Sequence, residues 1–333
     1  MSAPYCNNIR FGAMSKAPSD MYFESVVRPE QHGRLLLDSL CERFTYHSRE
    51  EWMDRLSRGL VTVNGEVAGI DTVASKNDKV VYHVENYTEP EVPTDFSIVF
   101  EDEEFLVVAK PAGTPVHHTG RIFYNTFAAI VRRATDCETA TPMHRLDRDT
   151  GGLMLFAKYA ETAARFQKNL DRILLRKFYL AVVEGSFPEG ETPCDFPLRE
   201  SPDDPLRLRM HRMEGGKECR TIFRKLHEVV RDGKTYSVLE AELITGRKHQ
   251  IRAHLAELGF PIVGDRLYSH DGIYYEKMAR GGGLDEADFA VLGAHSQMLY
   301  AYKAEIQLPY WKAPRTFTST DYSEEMKSFV DIS

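Results

Sequence analysis

The sequence is poor in cysteine and has no long apolar run. Its 333 residues include five cysteines, none of them in a C-x-x-C pair. A disulfide framework and a cysteine-based zinc site are therefore not expected, and we expect a reducing compartment, the cytoplasm. No stretch approaches the roughly 18 consecutive apolar residues of a membrane-spanning helix. No basic segment followed by an apolar run opens the chain, so we expect no signal peptide.

The chain also lacks a basic excess, since its net charge is −8. Net charge is a whole-chain average, however, and a basic stripe on one face can still bind phosphates. Residues 144–180 contain eight Lys or Arg and four Asp or Glu, a local net charge of +4. The absence of a P-loop argues against nucleotide hydrolysis. The absence of a P-C-x-x-C motif argues against a zinc-dependent deaminase.

The length predicts two domains at roughly 100–200 residues per domain. Residues 1–24 are polar and unpatterned, and we expect them to be loosely ordered. Residues 25–83 are expected to form a small α/β module of two helices, a hairpin at Asn64 and Gly65, and a closing strand. The acidic residues 84–95 include two prolines and are the predicted linker.

The second predicted domain covers residues 96–333. Short apolar runs predict strands, and two of them flank Asp232 and Gly233. Helical spacing predicts amphipathic helices over 163–174 and 245–258, the second ended by Gly259 and Pro261. Because strands follow strands with few intervening helices, we predict an α+β fold with a mixed, mostly antiparallel sheet.

The densest polar signal is the segment 144–153, which reads H-R-L-D-R-D-T-G-G-L. Two arginines, two aspartates and two adjacent glycines precede a predicted buried strand. This arrangement favours a site held at the edge of a sheet. The alternative is a charged surface turn with solvated Arg–Asp pairs, since most exposed ion pairs contribute little.

A second signal is the segment 245–254, which reads T-G-R-K-H-Q-I-R-A-H. On a helix, Arg252 and His249 lie off the apolar stripe, where Arg252 is free to meet a carboxylate or a phosphate. The alternative is a solvated basic face. His249 and His254 are five residues apart, which is the wrong spacing for a helical metal pair, so no metal site is predicted here.

The third signal is the segment 176–185, which reads R-K-F-Y-L-A-V-V-E-G. Strand alternation places Tyr179 on the face opposite Phe178. The alternative is a strand tyrosine whose hydroxyl points into water.

Together the three segments resemble the RluA-type family of pseudouridine synthases, which carries H-R-L-D-x-x-T-S-G-L, K-x-Y-x-A-x-V-x-G and T-G-R-x-H-Q-I-R-x-H-L in this order. Further matches are V-x-K-P-x-G-x-x-V-H at 107–117, G-x-P-I-x-G-D-x-x-Y at 259–268, and a G-K-x-x-x-T element from Gly216 to Thr221. Gly151 stands where the family usually has serine. The resemblance covers about residues 96–312.

The resemblance implies roles for four residues. Asp147 is the catalytic aspartate, Tyr179 packs against the target base, and Arg252 pairs with the aspartate. Arg145 fills the gap that the flipped base leaves. A carboxylate also suits the chemistry, because the reaction breaks a glycosidic bond and rejoins the uracil through carbon five. Attack on the sugar, attack on the base and removal of a proton all remain open as the role of Asp147. The reaction needs no cofactor or metal.

The implied partner is structured RNA, with no membrane and no protein partner. Residues 33–83 resemble the RNA-binding module of ribosomal protein S-four, and the alternative is an accessory cap domain. A stripe of Arg207, Arg209 and His211 on one strand face would track phosphates, unless these charges point in different directions. The predicted RNA-contacting residues are Arg145, Arg148, His144, Lys177, Arg207, Arg209, Arg247 and His249.

The substrate is less defined than the reaction. Residues 116–126 read V-H-H-T-G-R-I-F-Y-N-T and resemble the V-H-P-x-G-R-Y-x-x-N-T run of family members that act on the transfer RNA anticodon stem-loop. His118 replaces the proline and Ile122 the tyrosine. Ribosomal RNA remains the alternative substrate, and a non-catalytic RNA-binding protein on the same scaffold remains the alternative function.

Overall fold

The computed structural model describes residues 9–11, 20–44, 47–119 and 122–331. Its strands are β1 (Ile9–Phe11), β2 (Met21–Val26), β3 (Val61–Val63), β4 (Glu66–Val67), β5 (Lys79–Val84), β6 (Phe96–Glu101), β7 (Phe105–Lys110), β8 (Thr141–Pro142), β9 (Gly151–Ala157), β10 (Leu174–Glu184), β11 (Glu191–Cys194), β12 (Leu198–Glu200), β13 (Met210–Arg212), β14 (Thr221–Arg231), β15 (Lys234–Leu243), β16 (Leu299–Ile306) and β17 (Arg315–Thr318).

Eight α-helices occur among the described residues: α1 (Leu36–Arg43), α2 (Arg49–Ser57), α3 (Phe127–Thr135), α4 (Ala160–Phe166), α5 (Gln250–Glu257), α6 (Ile273–Ala279), α7 (Glu286–Leu292) and α8 (Glu324–Val330). Short 3-10 helices cover Pro29–Gln31, Gln167–Arg172 and His270–Gly272. Most strand pairs are antiparallel, and the predicted α+β class is confirmed.

The chain divides into two compact units. The larger unit comprises β1, Val92–His118 and the chain from Asn125 onward. The smaller unit comprises the chain from β2 to Glu91 together with Thr119–Tyr124. The chain therefore passes between the units inside the predicted linker 84–95. Strand β2 begins at Met21, so the expected loose order of residues 1–24 does not describe the end of that segment. Most of the rest of that segment lies outside the described residues.

The smaller unit has a four-stranded sheet in the order β2-β5-β3-β4. Helices α1 and α2 pack on it, with Trp52 and Leu36 almost fully buried. Ser48 begins α2 by accepting a hydrogen bond from the Glu51 amide. The two helices, the turn at Asn64 and the closing strand lie where the sequence predicts them. Strand β2 has no counterpart in the prediction.

The larger unit is built on an 11-stranded sheet, whose main path runs β1-β6-β7-β9-β16-β10-β15-β14-β11. Among the described strands of this sheet, β9 and β16 form the one parallel pair, at Gly151 and Gly152, whereas β9 is antiparallel to β7. A Cβ at Gly152 would overlap the backbone of Ala301. Only glycine allows this close approach, which places the beginning of β9 beside the middle strands of the sheet.

Two predicted helices have different bounds in the structure. The first ends at Phe166, continues as a 3-10 helix to Arg172, and gives way to β10 at Leu174. The second begins only at Gln250, because residues 245–249 form a loop. The Gln250 side chain accepts hydrogen bonds from the Thr245 hydroxyl and the Arg247 amide, which holds that loop. The predicted placement of His249 on a helix face is therefore wrong.

The predicted strand face of Arg207, Arg209 and His211 is also wrong. Strand β13 starts at Met210, and Arg207 has a positive φ of 47° in the preceding turn. The turn forms because the buried Asp204 carboxylate accepts a hydrogen bond from the Leu206 amide and binds the Arg209 guanidinium.

Candidate active site

The loop between β8 and β9 carries Asp147. Its backbone is tied to the turn that follows β7, because the Arg148 carbonyl accepts hydrogen bonds from the Gly113 amide (2.9 Å) and the Lys110 Nζ (3.0 Å). Lys110 is buried and also donates to the carbonyls of Pro111 and Thr114. Three acceptors satisfy the three donors of an ammonium group. Lys110 therefore fastens the loop that carries Asp147.

The departure from serine at Gly151 has a steric explanation. A Cβ there would lie 3.0 Å from the ring of Tyr300. That distance is tighter than an ordinary van der Waals contact, so a side chain at 151 would press on the ring. Glycine at this position avoids the contact.

Arg252 joins two carboxylates at the start of α5. Its Nη1 donates to Asp147 Oδ2 at 2.8 Å, while Nε and Nη2 donate to the two oxygens of Asp265 at 2.7 and 2.9 Å. Asp265 is fully buried and also accepts hydrogen bonds from the amides of Leu267 and Tyr268. A bidentate carboxylate fixes the plane of the guanidinium. Asp265 therefore aims Nη1 of Arg252 at Asp147.

The Asp147 carboxylate is held at one oxygen only. Oδ2 binds Arg252, and His249 Nε2 lies 3.8 Å from the same oxygen. Among the described residues, no group donates a hydrogen bond to Oδ1. One oxygen is thus anchored while the other remains available to a substrate.

The charges around Asp147 favour its ionised form. Burial acts to raise the pKa of this carboxyl. The positive charge of Arg252 opposes burial most strongly, followed by the electrostatic effect of His249, the hydrogen bond from Arg252 and the charge of Arg145. Together they hold the pKa of Asp147 below its usual value. Burial acts to lower the pKa of Arg252, but Asp265 and Asp147 raise it more strongly. The net pKa is raised, so the guanidinium stays charged.

Asp147, Tyr179 and Arg252 line one open cleft of about 1070 Å³. Tyr179 lies on β10, between Ala241 of β15 and Ala301 of β16, and only 6% of its surface is exposed. Burial raises the pKa of its phenol, which is therefore neutral. The alternative of a tyrosine directed into bulk water does not describe this residue.

The predicted RNA-contacting residues fall into two groups. One group lines the cleft: His144, Arg145, Lys177, Arg247 and His249. Lys177 forms no ion pair with any described carboxylate, whereas His144 accepts the Leu155 amide at 3.1 Å. Burial lowers the pKa of His144 to about 4, so its imidazole is neutral.

The other group does not line the cleft. Arg148 is exposed beside it, and its Nε donates to the Gly113 carbonyl. Arg207 lies in the turn before β13. Arg209 forms a bidentate pair with Asp204 at 2.8 and 3.0 Å, which occupies its guanidinium.

Three residues of the site had no predicted role, namely Lys110, Asp265 and Tyr268. All three lie in motifs that the sequence contains, K-P-x-G and G-D-x-x-Y. The signal was therefore present, but nothing in the residue pattern assigned them to Asp147 or Arg252. Among the described residues, no group of three or more His, Cys, Asp or Glu is arranged to hold a metal ion, and no helix is long and apolar enough to cross a membrane.

Comparison with known proteins identifies a matching family and related chains. Residues 104–257 match the family described as RNA pseudouridylate synthase. The "tRNA pseudouridine(32) synthase, mitochondrial" of Saccharomyces cerevisiae is 31% identical over 280 residues, which cover 83% of this chain and 58% of that protein. The "tRNA pseudouridine(31) synthase" of the same yeast is 32% identical over 286 residues, covering 74% of this chain and 70% of that protein.

A solved structure shares the fold. Human RNA Pseudouridylate Synthase Domain Containing 1 superposes with a TM-score of 0.54 at 23% identity, covering 70% of this chain and 86% of that one. This chain spans 58% to 65% of the length of three curated relatives that it matches.

Proposed function

The chain belongs to the RNA pseudouridine synthase family, and from this membership we propose that it isomerises uridine to pseudouridine in structured RNA with Asp147 as the catalytic carboxylate. One observation carries the proposal: an ionised carboxylate with one free oxygen lies beside a buried tyrosine in an open cleft. The intact Asp147–Arg252 pair favours an enzyme over a non-catalytic RNA-binding protein.

The free oxygen of Asp147 suits each step that the reaction requires. The bond between N1 and the ribose breaks, the uracil turns, and a bond forms from carbon five to the ribose. Carbon five then loses its proton and N1 gains one, so the reaction is redox-neutral. A carboxylate can serve as nucleophile or as base in such chemistry. Arg252 keeps it ionised and oriented in either role.

The target uridine must leave its stack to reach the cleft, which costs a few kcal/mol. We propose that Tyr179 packs against the extruded base, because an aromatic face offsets part of this cost. Arg145 is exposed at the mouth of the cleft and is proposed to fill the gap left in the RNA.

The phosphate contacts are proposed for the unpaired cations nearest the cleft. Lys177 and Arg247 line it, and Arg148 lies beside it. Arg207, which does not line the cleft, is a further candidate. We assign Arg209 to the support of its own turn, because Asp204 already neutralises it.

Transfer RNA is the proposed substrate, because two relatives are named transfer RNA pseudouridine synthases and residues 116–126 resemble the corresponding run. Gly120 and Arg121 of this run lie outside the described residues. Separate unmodified transfer RNA and large-subunit ribosomal RNA transcripts test the choice by pseudouridine mapping after incubation. Modification confined to the ribosomal transcript would replace the substrate and leave the activity standing.

The cytoplasm is the proposed compartment, because the four described cysteines are free. The relative named as mitochondrial makes that organelle the competing location. Imaging of the tagged protein in its own cells distinguishes the two.

The activity is tested by Asp147→Asn, which keeps the shape of the side chain and removes its charge. We expect tritium release from RNA labelled at carbon five to stop, while RNA affinity is retained. Lys168→Gln serves as the matched control, since it removes a surface charge from the same unit but not from the cleft lining. Release by the Asn variant at the wild-type rate would contradict the proposed role.

A further inference from the structure

His249 occupies an unusual position at the edge of the cleft. Its backbone has a positive φ of 55°, immediately before α5. This conformation turns the imidazole between two groups: Nδ1 lies 3.1 Å from the Tyr268 hydroxyl, and Nε2 lies 3.8 Å from Asp147 Oδ2. The second distance is too long for a hydrogen bond. Nε2 is therefore directed beside the carboxylate without being used by it.

The Tyr268 hydroxyl determines which nitrogen carries the proton. This hydroxyl accepts a hydrogen bond from the Met210 amide at 2.7 Å. Its own hydrogen has one acceptor among the described residues, His249 Nδ1. A partly buried hydroxyl whose hydrogen had no acceptor would destabilise the folded protein. Tyr268 therefore donates to Nδ1, which leaves the proton of a neutral imidazole on Nε2.

The imidazole remains neutral in the physiological range. Burial lowers the pKa of His249 to about 4, although Asp147 opposes this shift. The other charged groups that act on it are Arg252, Lys248 and Asp265, and Glu200 of β12 also interacts with it electrostatically. Arg252 is already bound to carboxylates through each of its three nitrogens. The Nε2–H of His249 is thus an uncharged donor beside the reacting carboxylate.

We propose that His249 is a further catalytic residue, which donates a hydrogen bond from Nε2 to a carbonyl oxygen of the target uracil, and that Tyr268 is the positioning residue that fixes its tautomer. This inference rests on the proposed isomerase activity. When the bond between N1 and the ribose breaks, its electron pair stays on the uracil, and the negative charge spreads to the carbonyl oxygens. A fixed neutral donor stabilises that charge. His249 keeps its proton throughout.

Three substitutions in the full-length protein test the proposal. His249→Met has similar size and no donor, His249→Gln retains an N–H, and Tyr268→Phe removes only the hydroxyl. Pseudouridine formation is measured in single turnover at saturating transfer RNA transcript, together with RNA affinity and thermal stability. We expect His249→Met to slow turnover by about 100-fold, the effect typical of losing one such donor, with unchanged affinity. His249→Gln should retain part of the rate that His249→Met loses. Tyr268→Phe should lower the rate less than His249→Met does.

The pH profile separates a neutral donor from a charged one. The ratio of wild-type to His249→Met rates should stay constant between about pH 6 and 8, because the imidazole does not titrate there. A ratio that follows an ordinary imidazole titration would overturn the proposal. An effect of His249→Met on RNA affinity with no effect on the saturated rate would also overturn it, because His249 would then only bind RNA.

A measurement without RNA distinguishes this inference from the proposed function. Nitrogen-15 spectra of histidine-labelled protein report the tautomer of His249. We expect the Nε2–H form in the wild type and a mixture of forms in Tyr268→Phe. A wild-type Nδ1–H form would refute the inference even if the protein makes pseudouridine. An inactive wild type with the Nε2–H form would refute the proposed isomerase activity, and with it the catalytic role of His249, while the role of Tyr268 would stand.

Discussion

Arg252 links a surface-accessible carboxylate to a buried one, so substitutions at this residue act on both. In Arg252→Lys the positive charge remains, but the two-point contact with Asp265 is lost. In Arg252→Met the charge is lost as well. The two variants therefore separate the effect of charge on Asp147 from the effect of orientation.

The acid limb of the activity profile provides the measurement. In its proposed role Asp147 acts as an ionised carboxylate, and its lowered pKa keeps it ionised at lower pH than an isolated carboxyl group. Arg252→Met removes the main opposing charge, so the acid limb should move to higher pH. Arg252→Lys should lower the maximal rate with a smaller movement of that limb. An unmoved acid limb in Arg252→Met, in a variant shown to be folded, would contradict this account of Asp147.

Individual residues of the site could be identified from the sequence only through their motifs. Asp147, Tyr179 and Arg252 each stand in a distinct motif, and the structure places all three around one cleft. Their catalytic roles remain predictions. The placement of His249 failed because helical periodicity was extended over 245–249, where the side chain of Gln250 instead holds a loop. Side-chain hydrogen bonds of this kind compete with helix formation and leave no periodic trace.

The hairpin of β12 and β13 supports the site from outside it. The Met210 amide of β13 donates a hydrogen bond to the Tyr268 hydroxyl, and the Tyr268 ring lies 5.0 Å from the Arg252 guanidinium. The connection between the two strands is organised by Asp204, which binds Arg209 and, at 2.8 Å, His211. We therefore expect loss of the Asp204 carboxylate to disturb the position of Arg252 through Met210 and Tyr268.

Asp204→Asn tests the contribution of this connection. Loss of one partner from a fully buried ion pair costs about 3–5 kcal/mol of folding free energy, and we expect a smaller loss here because the Arg209 and His211 side chains are partly exposed. The Arg209 hydrogen bonds and then His211 hold the pKa of Asp204 well below its usual value, although burial opposes them. A lowered folded-state pKa gives stability that is present above the unfolded pKa and lost as the pH falls.

The matched experiment is chemical unfolding of wild type and variant across the acid range. The stability difference should be full near neutral pH and shrink as the pH falls through the unfolded carboxyl pKa and below it. Asp203→Asn, at an exposed neighbour, is the control. A difference that is independent of pH would show that the charge of Asp204 does not provide this stability.

At the level of elements, strands were easier to predict than helix ends. The two strands around Asp232 and Gly233 were identified because a tight turn separates two alternating runs. Strand β2 was missed because its residues precede the module pattern and have no turn signal before them. The parallel contact of β9 with β16 could not be predicted, since it depends on the long-range approach of Gly152 to Ala301.

At the scale of the whole molecule, the smaller unit should contribute affinity rather than chemistry. All the residues that line the cleft belong to the larger unit. Deletion of residues 1–90 should therefore weaken RNA binding and leave pseudouridine formation detectable at saturating RNA. Because this deletion also removes β1, which pairs with β6 in the larger unit, deletion of residues 1–19 is the control. A folded 1–90 deletion with no turnover at saturation would show that the smaller unit is required for catalysis.

The whole-chain charge was the least informative property of the sequence. A net charge of −8 gives no indication of an RNA partner, whereas Arg145, Lys177 and Arg247 line the cleft. Their convergence depends on strands and loops that are far apart in the chain. Composition averages over this arrangement, so RNA is indicated by the motifs and by the local positive charge of residues 144–180 instead.

Because β9 pairs with β16, the cleft can assemble only late during synthesis of the chain. Asp147 lies just before β9, but its loop is completed only when Arg252, Asp265 and Ala301 are present. A nascent chain that ends before Ala301 carries Asp147 without the strand that fixes its position. Domains emerge from the ribosome starting at the N-terminus. The smaller unit is thus exposed long before the carboxylate is positioned, and a ribosome that stalls near Gly293 presents a chain that cannot assemble its cleft.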